Sequence, residues 1–264
     1  MSTAFDKLAR PIQKWIRQQG WKELRDIQAR ATHVLMDGNR DLIVAASTAG
    51  GKTEAAFLPL LSQVLDEPSE NSGFDVLYVA PLKALITDQA RRLEDICRDT
   101  DLPITPWHGD VSSSVKAKAT KRPKGVLLIT PESLEALFIR RGLEIPRLFG
   151  ATRAVILDEL HSVLDSERGI QMRSLLTRLE IALKRPIRRV GLSATLGDME
   201  LAKAYLRPDS PGEVEQVIAE GGSAELQLQL RGYVAGDKDD DGPSATDAIA
   251  QHLFEHMRGS DNLV

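Results

Sequence analysis

Asp41-Leu42-Ile43-Val44-Ala45-Ala46-Ser47-Thr48-Ala49-Gly50-Gly51-Lys52-Thr53 reads as a buried strand that runs into a glycine-containing loop and ends on a lysine and a hydroxyl. Residues 42–46 are continuously apolar with β-branched side chains, the pattern of a strand covered on both faces. After Lys52 the period changes: Ala55, Ala56, Leu58, Leu61 and Leu65 recur at helical spacing. Strand, loop and helix in that order are what a phosphate-binding loop requires, because the backbone N–H groups of the loop and the helix dipole then face the phosphates. Ser47, Thr48, Ala49, Gly50 and Gly51 would wrap the nucleotide, and the two glycines let the backbone approach closely. Lys52 offers a cation to the β and γ phosphates, and the Thr53 hydroxyl can ligate Mg²⁺. The strict G-x-x-x-x-G-K-[ST] form is not met, since Ala46 stands at the first glycine. On this segment alone an ordinary helix start remains open.

A second segment bears on that choice. Arg153-Ala154-Val155-Ile156-Leu157 is another apolar strand, and Asp158-Glu159-Leu160-His161 follows at its C-terminal end, where open parallel sheets bind ligands. Asp158 can hold Mg²⁺ through water, and Glu159 can orient and deprotonate an attacking water for in-line displacement. The plain alternative is a helix opened by two acids beside a solvated histidine. Behind a phosphate loop, the catalytic reading is favoured.

Strands are expected at 41–46, 75–80, 103–107, 125–130, 153–158 and 188–194, alternating with helices and a polar turn at 69–73. That βαβ rhythm describes an α/β protein with a doubly wound, mostly parallel sheet. Hydrophobic content of 42% and charged content of 27% are those of an ordinary globular protein, and 264 residues suffice for one large core. No apolar run is long enough to span a bilayer and residues 1–10 lack a signal-peptide core, so the expected place is the cytoplasm, without membrane contact. The single cysteine, Cys97, excludes an internal disulfide; it reads as a small buried hydrophobe, and no cysteine or histidine cluster suggests zinc.

A net charge of −4 argues against a generally basic nucleic-acid binder. Lys116, Lys118, Lys121, Arg122 and Lys124 nevertheless form a basic segment, and Arg91 and Arg92 form another. Each reads either as a solvated face or as a phosphate contact without base specificity. Thr130 suits an N-cap and Pro131 the first helical position, so 130–133 begins a helix that either is merely capped or also holds a backbone phosphate.

Gln28 in Leu24-Arg25-Asp26-Ile27-Gln28, Pro81-Leu82-Lys83-Ala84-Leu85, Thr130-Pro131-Glu132-Ser133-Leu134 and Ser193-Ala194-Thr195 complete a set of six motifs in order with the loop and the acid box. The set resembles the first RecA-like domain of superfamily 2 helicases of the DExH type, and its wording is most similar to Lhr-like helicases. The resemblance implies a RecA-like P-loop NTPase fold, ATP and Mg²⁺ as cofactors, and adenine reading by Gln28. It implies a single-stranded DNA or RNA path, with DNA favoured, along Pro81, Lys83, His108, Gly109, Thr130, Pro131 and Glu132. It also implies coupling of the two sites through His161, Ser193 and Thr195, although hydroxyls at a strand end equally satisfy local backbone groups. Ala49 and Gly50 stand where many members have Gly and Ser.

The corresponding division is an N-terminal helical region at 1–35, a RecA-like ATP-binding domain at 36–210, and a connecting strand, acidic loop and helix at 211–264. The alternating segment 225–231 is expected to be a half-exposed strand, 236–242 an acidic loop, and Ala248, Ile249, Leu253, Phe254 and Met257 a helical stripe used in core packing. No second-domain arginine motif follows, which reads as half of a motor, through truncation, a split gene or a deliberately short chain, expecting a second RecA-like domain or chain. The expected function is ATP-driven unwinding or translocation once that half is joined. The alternatives are a nucleotide-dependent nucleic-acid-binding or regulatory module without useful turnover, and a P-loop phosphotransferase, for which no arginine-rich lid is visible.

Overall fold

The computed structural model describes residues 3–47, 50–194, 197–219, 232–233 and 244–257. Helices α1 (Arg10–Gln18) and α2 (Asp26–Asp37) precede β1 (Leu42–Ala45) and α3 (Lys52–Asp66). There follow β2 (Val76–Val79), α4 (Lys83–Ile96), β3 (Ile104–Trp107), α5 (Ser113–Lys121), β4 (Val126–Ile129), α6 (Pro131–Arg141) and α7 (Ile145–Phe149). Then come β5 (Ala154–Leu157), α8 (Glu167–Leu183), β6 (Arg188–Ser193), α9 (Met199–Leu206) and β7 (Glu215–Ile218). The six expected strands all form, each within a residue or so of its expected ends.

Among the described residues the strands make one sheet in the order β3-β4-β2-β5-β6-β1-β7, with every pairing parallel. The crossover from β1 through α3 to β2 leaves a gap that β5 and β6 fill later. The loop after β1 and the box after β5 thus flank the end of β6 at one edge of the sheet.

Four of the strands, β1, β2, β4 and β5, are buried at every residue, because helices cover both faces. Alternate strand residues point opposite ways. Leu42, Val44, Val76, Tyr78, Leu128 and Ile156 pack toward α1 to α4, while Ile43, Leu77, Val79, Leu127, Val155 and Leu157 pack toward α6 to α9. Each fully buried aliphatic side chain is worth roughly 1.5–3 kcal/mol relative to exposure, and both layers draw on that term. Residues 3–37 are part of the first layer, not an appendage, since Leu8, Ile12, Ile16, Ile27 and Leu35 are all buried in it.

The seventh strand was not expected. Glu215-Gln216-Val217-Ile218 pairs in parallel with β1 at the sheet edge and buries only Val217. One inward residue in four gives little apolar signal. At the opposite end of the sheet from the candidate site, Asp41 accepts from the Arg189 amide at 2.7 Å and from Arg207 Nε at 2.6 Å. Glu180 accepts from Arg207 at 3.0 Å and Arg189 at 2.7 Å. This fully paired group ties α8, α9, β1 and β6 together.

Residues 221–264 form a separate unit. Its helix α10 (Ala245–Met257) leaves Ile249, Leu253 and Phe254 exposed, so the stripe expected to be core is not core. Among the described residues of that unit, α10 has no second helix or strand to pack on. The Met257 side chain, the strand expected at 225–231 and the acidic loop at 236–242 lie outside the described residues.

Candidate functional site

The loop after β1 turns back sharply. Gly50 N donates to Ser47 O at 3.0 Å, and a Cβ on Gly50 would stand 2.7 Å from Ala46 Cβ and 2.9 Å from Ser47 O, so only glycine fits. Gly51 adopts φ +83°, a left-handed conformation that glycine takes freely, and caps α3. Lys52 Nζ donates to Ala46 O at 2.7 Å and Ser47 O at 3.1 Å. Its ammonium therefore lies over the loop's own carbonyls, poised for an anion. Thr53 is buried in the first turn of α3. Thr48 and Ala49 lie outside the described residues.

Gln28 is almost fully buried in the first turn of α2. Its Oε1 accepts from Arg25 N at 3.0 Å, and its Nε2 would stand 2.8 Å from a Cβ on Gly51. The fold thus brings Gln28 against the loop from α2, which packs beside α3 in the same layer.

Asp158 ends β5 with its N–H on Val79 O at 2.9 Å. Its Oδ1 accepts from Glu159 N at 2.9 Å and its Oδ2 from the Tyr78 hydroxyl. Burial, then the charge of Asp158, push the Tyr78 phenol far above its ordinary value, so it stays a donor. Glu159 has φ 51°, a left-handed backbone uncommon outside glycine. His161 Nδ1 lies 3.3 Å from Glu159 Oε2 and 3.2 Å from Ser193 Oγ at the end of β6. Ser193 is fully buried, and its carbonyl accepts from Ala46 N at 3.2 Å. The box, the end of β6 and the phosphate loop are thereby joined by hydrogen bonds; Thr195 lies outside the described residues.

Two further groups here were not read from the sequence as site residues. Tyr78 sits inside an apolar strand with no motif around it. Glu54, beside Thr53, is buried and ion-paired with Arg92 of α4. Arg92, grouped above with local basic residues, is turned to the phosphate-loop helix instead. An acid on the buried side of α3 was the available signal for that pair.

A groove of about 1030 Å³ opens beyond the ends of β2, β3 and β4 and is lined by Pro81, Lys83, Gly109, Lys116, Thr130, Glu132 and Arg168 among others. Lys83 Nζ donates to both Asp110 oxygens at 3.0 Å, and this bond holds the Asp110 carboxyl below its usual range. Thr130 caps α6 by accepting from Ser133 N at 3.4 Å, with Pro131 as the first helical residue. Burial pushes the Glu132 carboxyl up, but hydrogen bonds from its own amide and from Arg168, the latter at 2.9 Å, outweigh it and leave the group below its usual range.

Two expectations change. His108 does not line the groove; it is turned inward, its Nδ1 buried without a hydrogen-bond partner and 3.9 Å from Asp110. The basic segment is not one surface either. Lys116 lies over the Trp107 ring at 5.8 Å and faces the groove, whereas Lys121, Arg122 and Lys124 line a different cleft with Asp75, Arg98 and Asp99. Helix α5 separates them, as its turn directs residues five apart to different sides.

Oxygen donors are what a hard cation requires, and Thr53 and Asp158 supply two. Among the described residues no three His, Cys, Asp or Glu converge on one point. Mg²⁺ is usually held by one or two protein oxygens together with phosphates rather than by an all-protein cage.

Residues 25–204 match the DEAD/DEAH box helicase family. The chain is 31% identical over 212 residues to "Lhr helicase/uracil glycosylase" of Escherichia coli strain K12, covering 73% of this chain and 14% of that protein. It is 28% identical over 267 residues to "ATP-dependent helicase Lhr-Core" of Methanothermobacter thermautotrophicus, covering 93% of this chain and 31% of that protein. The chain thus spans less than a third of either relative's length. In fold it is similar to the structure of Mycobacterium smegmatis helicase Lhr bound to ssDNA and AMP-PNP, with a TM-score of 0.76 at 24% identity over 99% of this chain and 34% of that one. Mss116p bound to ssRNA and AMP-PNP gives a TM-score of 0.71 at 17% identity over 82% of this chain and 45% of that one.

Proposed function

From the premise that this chain belongs to the DEAD/DEAH box helicase family, we propose that it is the ATP-binding half of a nucleic-acid-dependent ATPase. Joined to a second RecA-like domain, it couples hydrolysis to strand unwinding or translocation. One observation carries the reading: the phosphate loop and the acid box, more than 100 residues apart, lie on either side of the end of β6 and are tied through its Ser193.

Residues 47–53 cradle the phosphates, with Lys52 leaving its two carbonyls for the β and γ groups, and Gln28 reads adenine through its amide. Thr53 and Asp158 hold Mg²⁺, which neutralises charge on the transferring phosphoryl group. Glu159 takes a proton from the attacking water, and His161 holds that carboxylate and Ser193 together. The strand lies along Pro81, Lys83, Gly109, Thr130, Pro131 and Glu132 and is held by its backbone, which gives little base specificity. DNA is favoured over RNA because the motif wording is Lhr-like and the similar structure of helicase Lhr is bound to ssDNA. Among the described residues no helix is long and apolar enough to cross a membrane, and a cytoplasmic setting suits this chemistry.

Lys52→Ala is expected to abolish binding of a fluorescent ATP analogue, because it removes the ammonium held over the loop carbonyls of Ala46 and Ser47. Unchanged affinity in a fluorescence titration would remove the site assignment.

A further inference from the structure

We infer that Tyr78 is a positioning residue that fixes the Asp158 carboxylate for its cation. The inference rests on the reading of Asp158 as a metal-holding acid and adds a residue that lies within none of the sequence motifs.

Tyr78 is fully buried in β2, in the layer facing α3, with its ring 5.7 Å from that of Phe57. Its neighbours along the strand, Val76, Leu77 and Val79, are aliphatic. A phenylalanine would fill the same space, and a hydroxyl taken out of water costs free energy unless it is bonded. The hydroxyl here has one purpose that the geometry reveals. Strands β2 and β5 pair in register with Tyr78 opposite Ile156, so Asp158 lies two residues further on, on the same face, just past the strand end. The length of the phenol bridges that interval and its O–H donates to Asp158 Oδ2.

The other carboxylate oxygen accepts from Glu159 N at 2.9 Å. With one donor on each oxygen the carboxylate cannot rotate, and each oxygen keeps lone-pair capacity for a cation or its waters. The contact with Phe57, a residue of α3, also places the same side chain between the phosphate-loop helix and the box. Outer hydrogen bonds of this kind orient metal ligands, and their loss typically weakens metal affinity by about 10–100-fold.

The test is a Mn²⁺ titration followed by electron paramagnetic resonance on the full chain saturated with a non-hydrolysable ATP analogue. Tyr78→Phe, Tyr78→Leu, Asp158→Asn and the Tyr78→Phe/Asp158→Asn double variant are run beside the parent. Both Tyr78 variants should need on the order of 10–100 times more Mn²⁺ for half-saturation, while analogue affinity in the presence of EDTA is unchanged. The use of two hydroxyl-free variants keeps the test decisive if one of them folds poorly. In the Asp158→Asn background, Tyr78→Phe should add nothing. Parent-like Mn²⁺ affinity in the Tyr78 variants, with Asp158→Asn impaired, would reduce Tyr78 to core packing. An equal further loss in the double variant would likewise overturn the proposal, since the effect would not run through Asp158. If Asp158→Asn itself bound Mn²⁺ like the parent, the metal reading would fail and this inference with it.

Discussion

At the level of single residues, Glu159, the proposed general base, holds a strained backbone conformation. A non-glycine residue in the left-handed region carries about 1–2 kcal/mol of strain, and Glu159 sits there at φ 51°. Glycine relieves that strain but costs roughly 0.5–1 kcal/mol in chain entropy. Glu159→Gly is therefore expected to leave the melting temperature unchanged or raised by a few degrees while eliminating the ATP turnover seen when a second RecA-like domain is added. Calorimetry and a phosphate-release assay check both halves, and a clear fall in melting temperature would mean that the conformation is not strained. The residues that bear the proposed chemistry were legible in the sequence because motif spacing states them directly. Tyr78 and Glu54 were not, because a hydrogen bond 80 residues long in sequence and an ion pair 38 residues long depend on strand register and helix facing.

Among the elements, the sheet is locked at the end away from the site. Asp41 and Arg207 are both mostly buried and doubly bonded, and Glu180 joins them. Removing one partner of such a pair typically costs about 3–5 kcal/mol, because the other is left buried and charged. Asp41→Asn is expected to lower unfolding free energy by about 3 kcal/mol in urea denaturation, with ATP-analogue affinity unchanged. The pH dependence follows from Glu180. Burial raises its pKa, but the Ile187 amide, Arg189 and Arg207 outweigh that and hold it below its ordinary 4.5. The folded carboxyl thus binds protons less readily than the unfolded one, so its contribution is complete above about pH 4.5 and disappears as pH falls through the lowered value. Arg207→Met should flatten the acid limb of the stability curve below that pH; an unchanged limb would remove Glu180 from the cause. Strands β1, β2, β4 and β5 were legible because strands buried on both faces read as unbroken apolar runs, whereas β3, at the far edge, and β6 were legible from the βαβ rhythm. Strand β7 was not, since an edge strand with only Val217 buried has no such run.

For the molecule as a whole, the groove and the ATP site open on the same edge of the sheet, and α4 joins them, with Lys83 in the groove and Arg92 on Glu54. Nine residues of helix separate the two, about 13 Å along the axis. If Lys83 contacts a strand phosphate, Lys83→Ala should weaken single-strand binding uniformly across sequences and reduce the log-log salt slope by about 0.7. Fluorescence anisotropy at several salt concentrations measures it, and an unaltered slope would show that Lys83 stays with Asp110. The fold class was legible as a whole, whereas the split of the basic segment by α5 and the inward turn of His108 depended on packing that spacing does not encode. The central claim is that this chain is an ATP site that needs a second domain. An arginine supplied by such a domain is worth roughly 10³–10⁵ in rate. The measurement that tests the claim most directly is ATP turnover by the purified chain with and without single-stranded DNA, beside Lys52→Ala. Lys52-dependent nucleotide binding with almost no turnover, restored on adding a second RecA-like domain, is the expected result. Strong DNA-stimulated turnover by the chain alone, lost in Lys52→Ala, would contradict it.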